Sequence, residues 1–398
     1  MPTPEIVLSN FLLLPELKLK GSYRIGVHKN LYVCEKLKTG AVCPKCATFS
    51  STGYDTRKVK LKDDRLRGKS IDLIVNKQRL WCKSCKKPFT EPLQGVLPRK
   101  RTTQRFRKAV AIACRNFSDL KRVKSEFKCS NDFIYTCFYE YLELQRRMHN
   151  QYPWPETLGI DEHNFRRVKG RFGYRQFVTM FVDYKNKKLF EVAPTKTNNE
   201  LKDYLKNIPG RENVKKAIID MCDPYNNFIT EFFPNAQIIA DKFHVLRLLS
   251  PHINRIRKEI TGDKRKHPIR FLLNRSGKKL EFHERSALYR WLQDYPELAE
   301  TYAWKERLYG LYRIKGFKRA KRAFIKMTDE MAKSNLKHIK AFRKTLMKWR
   351  IQILNYFKFG LTNARTEGYN NVAKVIKRRS YGFRSFKNYR LRLLYACS

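Results

Sequence analysis

Two short cysteine pairs constrain residues 1–97 more tightly than any other feature of this chain. Cys43-Pro-Lys-Cys46 and Cys82-Lys-Ser-Cys85 each set two thiols at one vertex, and 35 residues separate the pairs. Four thiolates complete a tetrahedral shell, so Cys43, Cys46, Cys82 and Cys85 are the expected ligands of a structural Zn²⁺. The segment needs such a staple. It reads as short strands, such as Tyr23–Val27 and Ile71–Val75, that bury too little surface to hold alone. The wide spacing predicts a large hairpin between the pairs. Cys34 lies nearby without a partner and reads as a small core residue. The start of the chain lacks the basic and long apolar stretches of a secretory signal. Ten cysteines in that setting favour a reducing compartment and metal ligation over disulfides.

Charge points to the partner. Lys and Arg number 86 against 36 Asp and Glu, a net +50 over 398 residues. Such a chain repels itself unless a polyanion neutralises it, which sets aside an ordinary metabolic enzyme and calls for nucleic acid. An anionic membrane surface is the weaker choice. No run approaches the roughly 20 apolar residues that span a bilayer, and Phe11-Leu12-Leu13-Leu14 stops at Pro15. The expectation is a cytoplasmic, nucleoid-associated protein with no membrane partner. Its 42% apolar and 13% aromatic content supports packed domains.

The patterning predicts where those domains lie. After the strands of residues 1–97, the basic stretch Pro98-Arg99-Lys100-Arg101 leads into helices. Phe106, Ala109, Val110, Ala113 and Phe117 recur at helical steps. Ser118-Asp119 can cap a second, short helix with Leu120, Val123 and Phe127 inward. Ser130 can cap a third holding Phe133, Ile134, Cys137, Phe138, Tyr141 and Leu142. This is a helix-turn-helix pattern over 98–150, with a plain three-helix bundle as the alternative. The cations Arg99, Lys100, Arg101 and Arg105 favour DNA.

From Pro155 the elements alternate. Thr157–Ile160 reads as a strand ending at Asp161-Glu162. Gln176–Val182 and Lys188–Val192 flank the turn Asp183–Lys187, and a helix follows over Asn198–Lys206. Strands Lys216–Ile219 and Gln237–Ala240 end at Asp220 and Asp241, with a helix over Pro224–Phe232 between them. That order describes a ribonuclease-H-like α/β core, first part 151–241 and last part 361–398. Residues 242–360 read as a basic, all-helical insertion. In it Leu336, Ile339, Phe342, Leu346, Trp349 and Ile353 form one core stripe on a helix closed by Gly360. The fold class is therefore multidomain α+β.

Three acids carry the chemistry. Asp161 and Asp220 end neighbouring strands, where side chains meet outside the carboxyl edge of a sheet. Glu367 begins a late helix on which Glu367, Asn371, Lys374 and Arg378 share one face. Val372, Val375 and Ile376 share another, expected to pack on the sheet. Converging carboxylates suit Mg²⁺ (or Mn²⁺), which takes oxygen ligands and leaves positions open for phosphate. Two such ions about 3.5–4 Å apart activate an attacking oxygen and stabilise a leaving one. Taken singly, each acid is also readable as a solvated turn residue. Asp223 reads as the cap of the helix that follows it, and Glu162 should point to the other side of the sheet. Asp241 and His244, in Asp241-Lys-Phe-His244, are candidate accessory residues with Asn371, although a lone histidine is more often structural. Lys374 and Arg378 are candidate DNA contacts.

With these motifs in hand, the chain resembles the ISL-three family of bacterial insertion-sequence transposases from about Leu12 to Leu394. The likeness rests on Cys43-Pro-Lys-Cys46, Trp81-Cys82-Lys-Ser-Cys85 with Pro88-Phe89-Thr90, and Gly159-Ile-Asp-Glu162. It continues through Ile219-Asp-Met-Cys-Asp-Pro-Tyr225, Asp241-Lys-Phe-His-Val245, Thr362-Asn363 to Glu367-Gly-Tyr-Asn-Asn371, and Tyr381-Gly-Phe-Arg-Ser-Phe386. The resemblance implies a zinc ribbon, a helix-turn-helix and a DDE catalytic core with Asp161, Asp220 and Glu367 as its acids. It implies strand cleavage by water and then strand transfer by a 3′-hydroxyl. Terminal inverted repeats and target DNA would be the partners, with two ends brought together by a homo-oligomer. It also likens Asp241 to His244 to the aspartate-x-x-histidine signature of several DDE transposases. Cys222 stands where many relatives carry Ser, and Lys128 takes a turn position that Gly would occupy more easily. The alternatives are a catalytically silent, transposase-derived DNA-binding regulator and a structure-selective nuclease that cuts without joining.

Overall fold

The computed structural model describes residues 14–37, 40–116, 119–149, 152–168, 173–262 and 268–398. The chain divides into two compact units, Met1–Met148 and His149–Ser398.

The first unit is built on a sheet of order β1-β2-β6-β5, with β7 also paired to β6. Its strands are β1 (Leu17–Arg24), β2 (Lys29–Lys36), β5 (Gly53–Leu66), β6 (Lys69–Cys82) and β7 (Lys87–Thr90). The short pair β3 (Ala41–Val42) and β4 (Phe49–Ser50) stands apart. The expected strand Tyr23–Val27 is instead the end of β1 and its turn, because Gly26 adopts φ 64° there. The large hairpin between the cysteine pairs is β5–β6. Its two-residue turn, Arg67-Gly68, has both φ positive (50° and 77°), the geometry that matches strand twist. Cys34 packs in a core with Leu61, Leu73 and Val75.

Three helices follow: α1 (Gln104–Asn116), α2 (Leu120–Phe127) and α3 (Asn131–His149). Phe106, Val110, Val123, Ile134 and Cys137 form their shared core. The Asp119 side chain caps α2 by accepting from Arg122 N at 3.0 Å, whereas Phe117 and Ser118 lie outside the described residues. Lys128 takes φ 49° in the turn between α2 and α3, the left-handed position the sequence flags. The sheet holds this turn: Lys62 Nζ on β5 donates to the carbonyls of Phe127 and Lys128, both at 2.8 Å.

The second unit centres on a sheet of order β10-β9-β8-β11-β12. Strands β8 (Thr157–Arg167), β9 (Arg175–Asp183) and β10 (Lys188–Ala193) are antiparallel neighbours. Strands β11 (Lys216–Ile219) and β12 (Gln237–Ala240) run parallel to β8. The faces differ in what covers them. Trp154, Ile160, Phe181 and Phe228 share one core with α4 (Asn198–Leu205) and α5 (Asp223–Phe232). Val178, Met180 and Val182 point the other way, the period-2 alternation of β9. They pack with α14 (Ala364–Arg379) and α15 (Phe386–Ala396) through Ala373, Tyr389 and Leu393.

Among the described residues, eight α-helices lie between β12 and α14: α6 (Lys242–Arg247), α7 (Ser250–Thr261), α8 (Ile269–Asn274), α9 (Phe282–Gln293), α10 (Pro296–Leu311), α11 (Phe317–Ala332), α12 (Lys337–Lys348) and α13 (Arg350–Phe359). The predicted single helix from Leu336 to Ile353 is two. It breaks at Trp349 (φ −100°, ψ 16°), and the second part ends on Gly360 at φ 68°. Ile339, Phe342, Leu346, Trp349 and Ile353 are nevertheless all core.

Candidate active site and metal centres

The four thiols meet. Cys43, Cys46, Cys82 and Cys85 place their sulfurs within 4.8 Å of one another. Cys46 Sγ lies 3.5 Å from Cys82 Sγ, and Cys43 Sγ lies 4.0 Å from Cys85 Sγ. A tetrahedron with Zn–S bonds of about 2.3 Å has edges of about 3.8 Å, so the cluster fits a zinc shell. Hydrogen bonding to Thr48 pulls Cys46 down to about 6, while the bond to Cys46 pushes Cys85 up to about 12.

The acidic centre is set by strand register. Strand β11 pairs with β8 as Lys216↔Thr157, Ala217↔Leu158 and Ile218↔Gly159, and with β12 up to Ile219↔Ala240. Continuing those rows places Asp161, Asp220 and Asp241 side by side across three parallel strands. Asp161 therefore does not end its strand as the sequence suggested. Strand β8 runs on to Arg167, but its pairing with β11 stops at Gly159, which opens the edge where the acids stand.

Each acid is held differently. Burial pushes Asp161 up to about 7, and the charge of Asp220 adds to it. Its Oδ1 accepts from Glu162 N at 2.7 Å, and its Oδ2 accepts from the Asn370 amide. His244 Nδ1 pairs with Asp220 Oδ1 at 2.9 Å and approaches Asp241 Oδ2 at 3.3 Å. Those two carboxylates push the imidazole up to about 10. Asp241 is buried, which alone would raise its pKa. The hydrogen bonds from His244 and the Asn363 N–H outweigh burial and hold it below the usual carboxylate value. Asp220, Asp241 and His244 form a group whose ligand atoms lie within 4.8 Å of one another.

Helix α14 reaches this edge through Gly159. A Cβ there would meet Thr366 Oγ1 at 2.3 Å and Tyr184 Cε2 at 2.4 Å, so only glycine admits the approach. Asn363, just before the helix, donates through Nδ2 to Ile160 O at 3.2 Å and through its backbone N to Asp241 Oδ1 at 2.8 Å. Thr366, Asn370 and Ala373 form the buried face of α14; of the expected apolar face, Ile376 packs against the sheet whereas Val372 and Val375 are exposed. Asn371, the accessory residue read from the sequence, is also exposed and accepts from Lys374 at 3.3 Å; its neighbour Asn370 touches Asp161 instead. Glu367 is exposed in the first turn of α14 and stands outside the Asp220–Asp241–His244 group.

Glu162 pairs with Lys196 at 3.4 Å. Asp223 makes no cap: the residue at the cap position is Cys222, and Asp223 pairs with Lys348 at 2.6 Å. Lys374 and Arg378 are exposed on α14, and Arg99, Lys100 and Arg101 are exposed before α1. Arg105 is engaged instead: its Nε lies 2.7 Å from buried Asp63, which also accepts from Thr103. The sequence reading missed Gly159, Asn363 and Asn370. Their signal was their place inside the motifs around Asp161 and Glu367.

Fold and site thus define a mixed α/β protein with two clusters whose ligand atoms lie close enough to hold a metal ion, one of thiols and one of two carboxylates with a histidine. No helix among the described residues is long and apolar enough to cross a membrane. Residues 158–393 match the ISL-three transposase family, and the chain belongs to that family of insertion-sequence transposases. It is similar to the transposase for insertion sequence element IS1001 of Bordetella parapertussis. The two are 24% identical over 365 residues, covering 88% of this chain and 87% of the other.

Proposed function

We propose that this chain binds the terminal inverted repeats of an insertion sequence and catalyses metal-dependent strand cleavage and strand transfer on DNA. The observation that carries the reading is the row of Asp161, Asp220 and Asp241 across β8, β11 and β12, roofed by the helix that bears Glu367. Asp161, Asp220 and Glu367 are the proposed catalytic carboxylates. The donor set fits Mg²⁺ or Mn²⁺: carboxylate oxygens, with Asp161 pushed up to about 7 by burial and by the like charge of Asp220, a repulsion that a bound cation would offset. Bound ions of that kind supply charge at the attacking and leaving oxygens of a phosphodiester. The protein's part is orientation. Asn370 and the Glu162 N–H fix the Asp161 carboxylate, and Asp161 gives up its proton before it can ligate. His244 balances Asp220 and Asp241, and Asn363 ties that row to the start of α14.

The strand order, with three antiparallel strands followed by two parallel ones, supports a ribonuclease-H-like core over 151–241 and 361–398, interrupted by the helical segment 242–360. In the same reading, 1–97 is a zinc ribbon on Cys43, Cys46, Cys82 and Cys85, and 98–150 is a helix-turn-helix. Arg99, Lys100, Arg101, Lys374 and Arg378 would contact DNA phosphates, and a homo-oligomer would bring two ends together. Arg105 is withdrawn from that list, because Asp63 already holds it.

The test is a supercoiled plasmid carrying the sequences that flank the gene in its genome. Wild type with Mg²⁺ should nick and join at the element ends, whereas Asp161→Ala and Glu367→Ala should bind and leave the DNA whole. Equal excision by those variants contradicts the assignment of the acids. Footprinting by wild type over DNA that stays intact favours the silent regulator, and cleavage without joining favours a nuclease.

A further inference from the structure

Helix α14 ends in an arrangement that the cleavage reading leaves unexplained. The Gly382 N–H bonds to Lys377 O at 3.0 Å and the Tyr381 N–H to Arg378 O at 3.2 Å, the paired bonds of a Schellman cap. The left-handed position in that cap normally goes to glycine, yet here Tyr381 holds it at φ 51° while Gly382 follows at φ 97°. A bulky residue at that φ is a strained choice that local packing does not reward. Tyr381 is 101% exposed, whereas the two rings that follow it are anchored: Phe383 lies 5.1 Å from Tyr389, and Phe386 lies 6.1 Å from Phe165. Arg166 Nη1 fastens the same loop by donating to Arg384 O at 3.0 Å. The ring is thus presented outward from a loop pinned at both ends.

Its surroundings select one occupant. The solvent face of α14 carries Lys374, Arg378 and Arg379, all exposed, with Gly368 and the small Val372 and Val375 beside them. A cationic, low-relief helix ending in an outward aromatic ring matches a strand whose phosphates follow the helix and whose base stacks at its end. We propose that Tyr381 is a stacking platform for a base of the DNA that enters the active site, a positioning residue for cleavage. This rests on the reading of Asp161 as a cleavage carboxylate. The nine helical steps from Asn370, which touches Asp161, to Arg379 climb about 14 Å at roughly 1.5 Å each, and Tyr381 lies two residues beyond. At about 3.4 Å per base along a strand, the stacked base lies about five steps from the scissile phosphate.

The experiment uses the full chain and a duplex of the element end mapped in the plasmid assay, with 2-aminopurine placed three to seven steps from the cleavage point, in Ca²⁺ for binding and Mg²⁺ for cutting. Wild type should quench the probe most near step five, and Tyr381→Phe should quench alike. Tyr381→Ala should lose the quench and cut the intact duplex roughly 5- to 150-fold more slowly, the usual range for one lost base–aromatic stack. An abasic site at that step should slow wild type to the rate of Tyr381→Ala and leave Tyr381→Ala unchanged. Tyr381→Gly should behave as Tyr381→Ala in DNA while melting no lower than wild type, which separates stacking from folding. Quenching and cutting by Tyr381→Ala at the wild-type level overturn the platform and leave the carboxylates untouched. Wild type that quenches at step five but never cuts removes the cleavage reading and keeps the stack. Loss of the quench in Tyr381→Ala with cutting at the wild-type rate overturns the positioning role.

Discussion

The two candidate metal centres are assembled by different routes. The thiol cluster is local: two Cys-x-x-Cys vertices brought together by one hairpin, β5–β6. The acidic centre is distributed. Its row comes from three strands in register, its histidine from the helix after the third strand, and Asn370 from a helix more than a hundred residues further on. A local centre is fixed by its own spacing and fails as a unit when one ligand is lost. A distributed centre depends on packing that holds distant elements together, so residues that ligate nothing become as important as the acids.

The largest expected effect breaks the local centre. Apparent zinc-binding free energies in finger peptides run about 10–16 kcal/mol, and that energy is folding energy. Cys82→Ser should lose zinc and the cooperative melting of the first unit while leaving the second unit's transition in place. Elemental analysis showing a full complement of zinc in the purified variant contradicts this.

The next effect tests the distributed centre through a residue with no functional group. Gly159→Ala forces a Cβ against Thr366 and Tyr184, and overpacking of that kind costs about 1–3 kcal/mol. The thermal midpoint should fall, and cleavage should fall further, because α14 is displaced from the acid row. Unchanged activity would show that the approach of α14 is not needed.

A finer comparison sets two adjacent asparagines against each other. Asn370→Ala removes a hydrogen bond to a carboxylate, about 1.5–3 kcal/mol, read as weaker metal binding and slower cutting. Asn371→Ala, on the exposed side, should change stability by no more than about 0.5 kcal/mol. Equal losses would erase the distinction between the two faces.

These contrasts mark what the sequence made legible. The thiol ligands and the acids at 161, 220 and 241 were readable because each lies at a fixed place in a local pattern, a Cys-x-x-Cys knuckle or the residue after a short apolar run. The strands of the second unit were legible from the same runs, whereas their order in the sheet was not. What was hidden depends on long-range docking. Asn370 and Asn371 are equivalent on a helical wheel until Gly159 decides which side of α14 faces the sheet. Val372 and Val375 look like core, yet the close approach is made by Ala373, Thr366 and Asn370, whose smaller or polar side chains fit against β8. Arg105 looks like a DNA contact because its partner, Asp63, lies on a strand 42 residues earlier. The break at Trp349 leaves no mark in the spacing, because both halves keep the same apolar stripe.

The smallest effect is in pH. The folded pKa of Asp161, about 7, lies above the roughly 3.9 of an unfolded aspartate. Its contribution to metal-free stability is therefore fully present below about pH 4 and is lost as pH rises through 7. In metal-free protein, Asp161→Asn should flatten the decline over that window, measured by thermal melting at a series of pH values. An identical pH profile in the variant contradicts the raised acid.

The central claim is that the acid row is a metal centre distinct from the thiols. It is tested most directly by titrating zinc-loaded full-length protein with Mn²⁺ and following free ion by electron paramagnetic resonance. The account predicts Mn²⁺ binding in wild type that strengthens from pH 6 to 8 as Asp161 loses its proton. Asp220→Asn should weaken it at least tenfold, with the zinc content unchanged. Binding of equal strength in Asp220→Asn, or none in wild type, would contradict it.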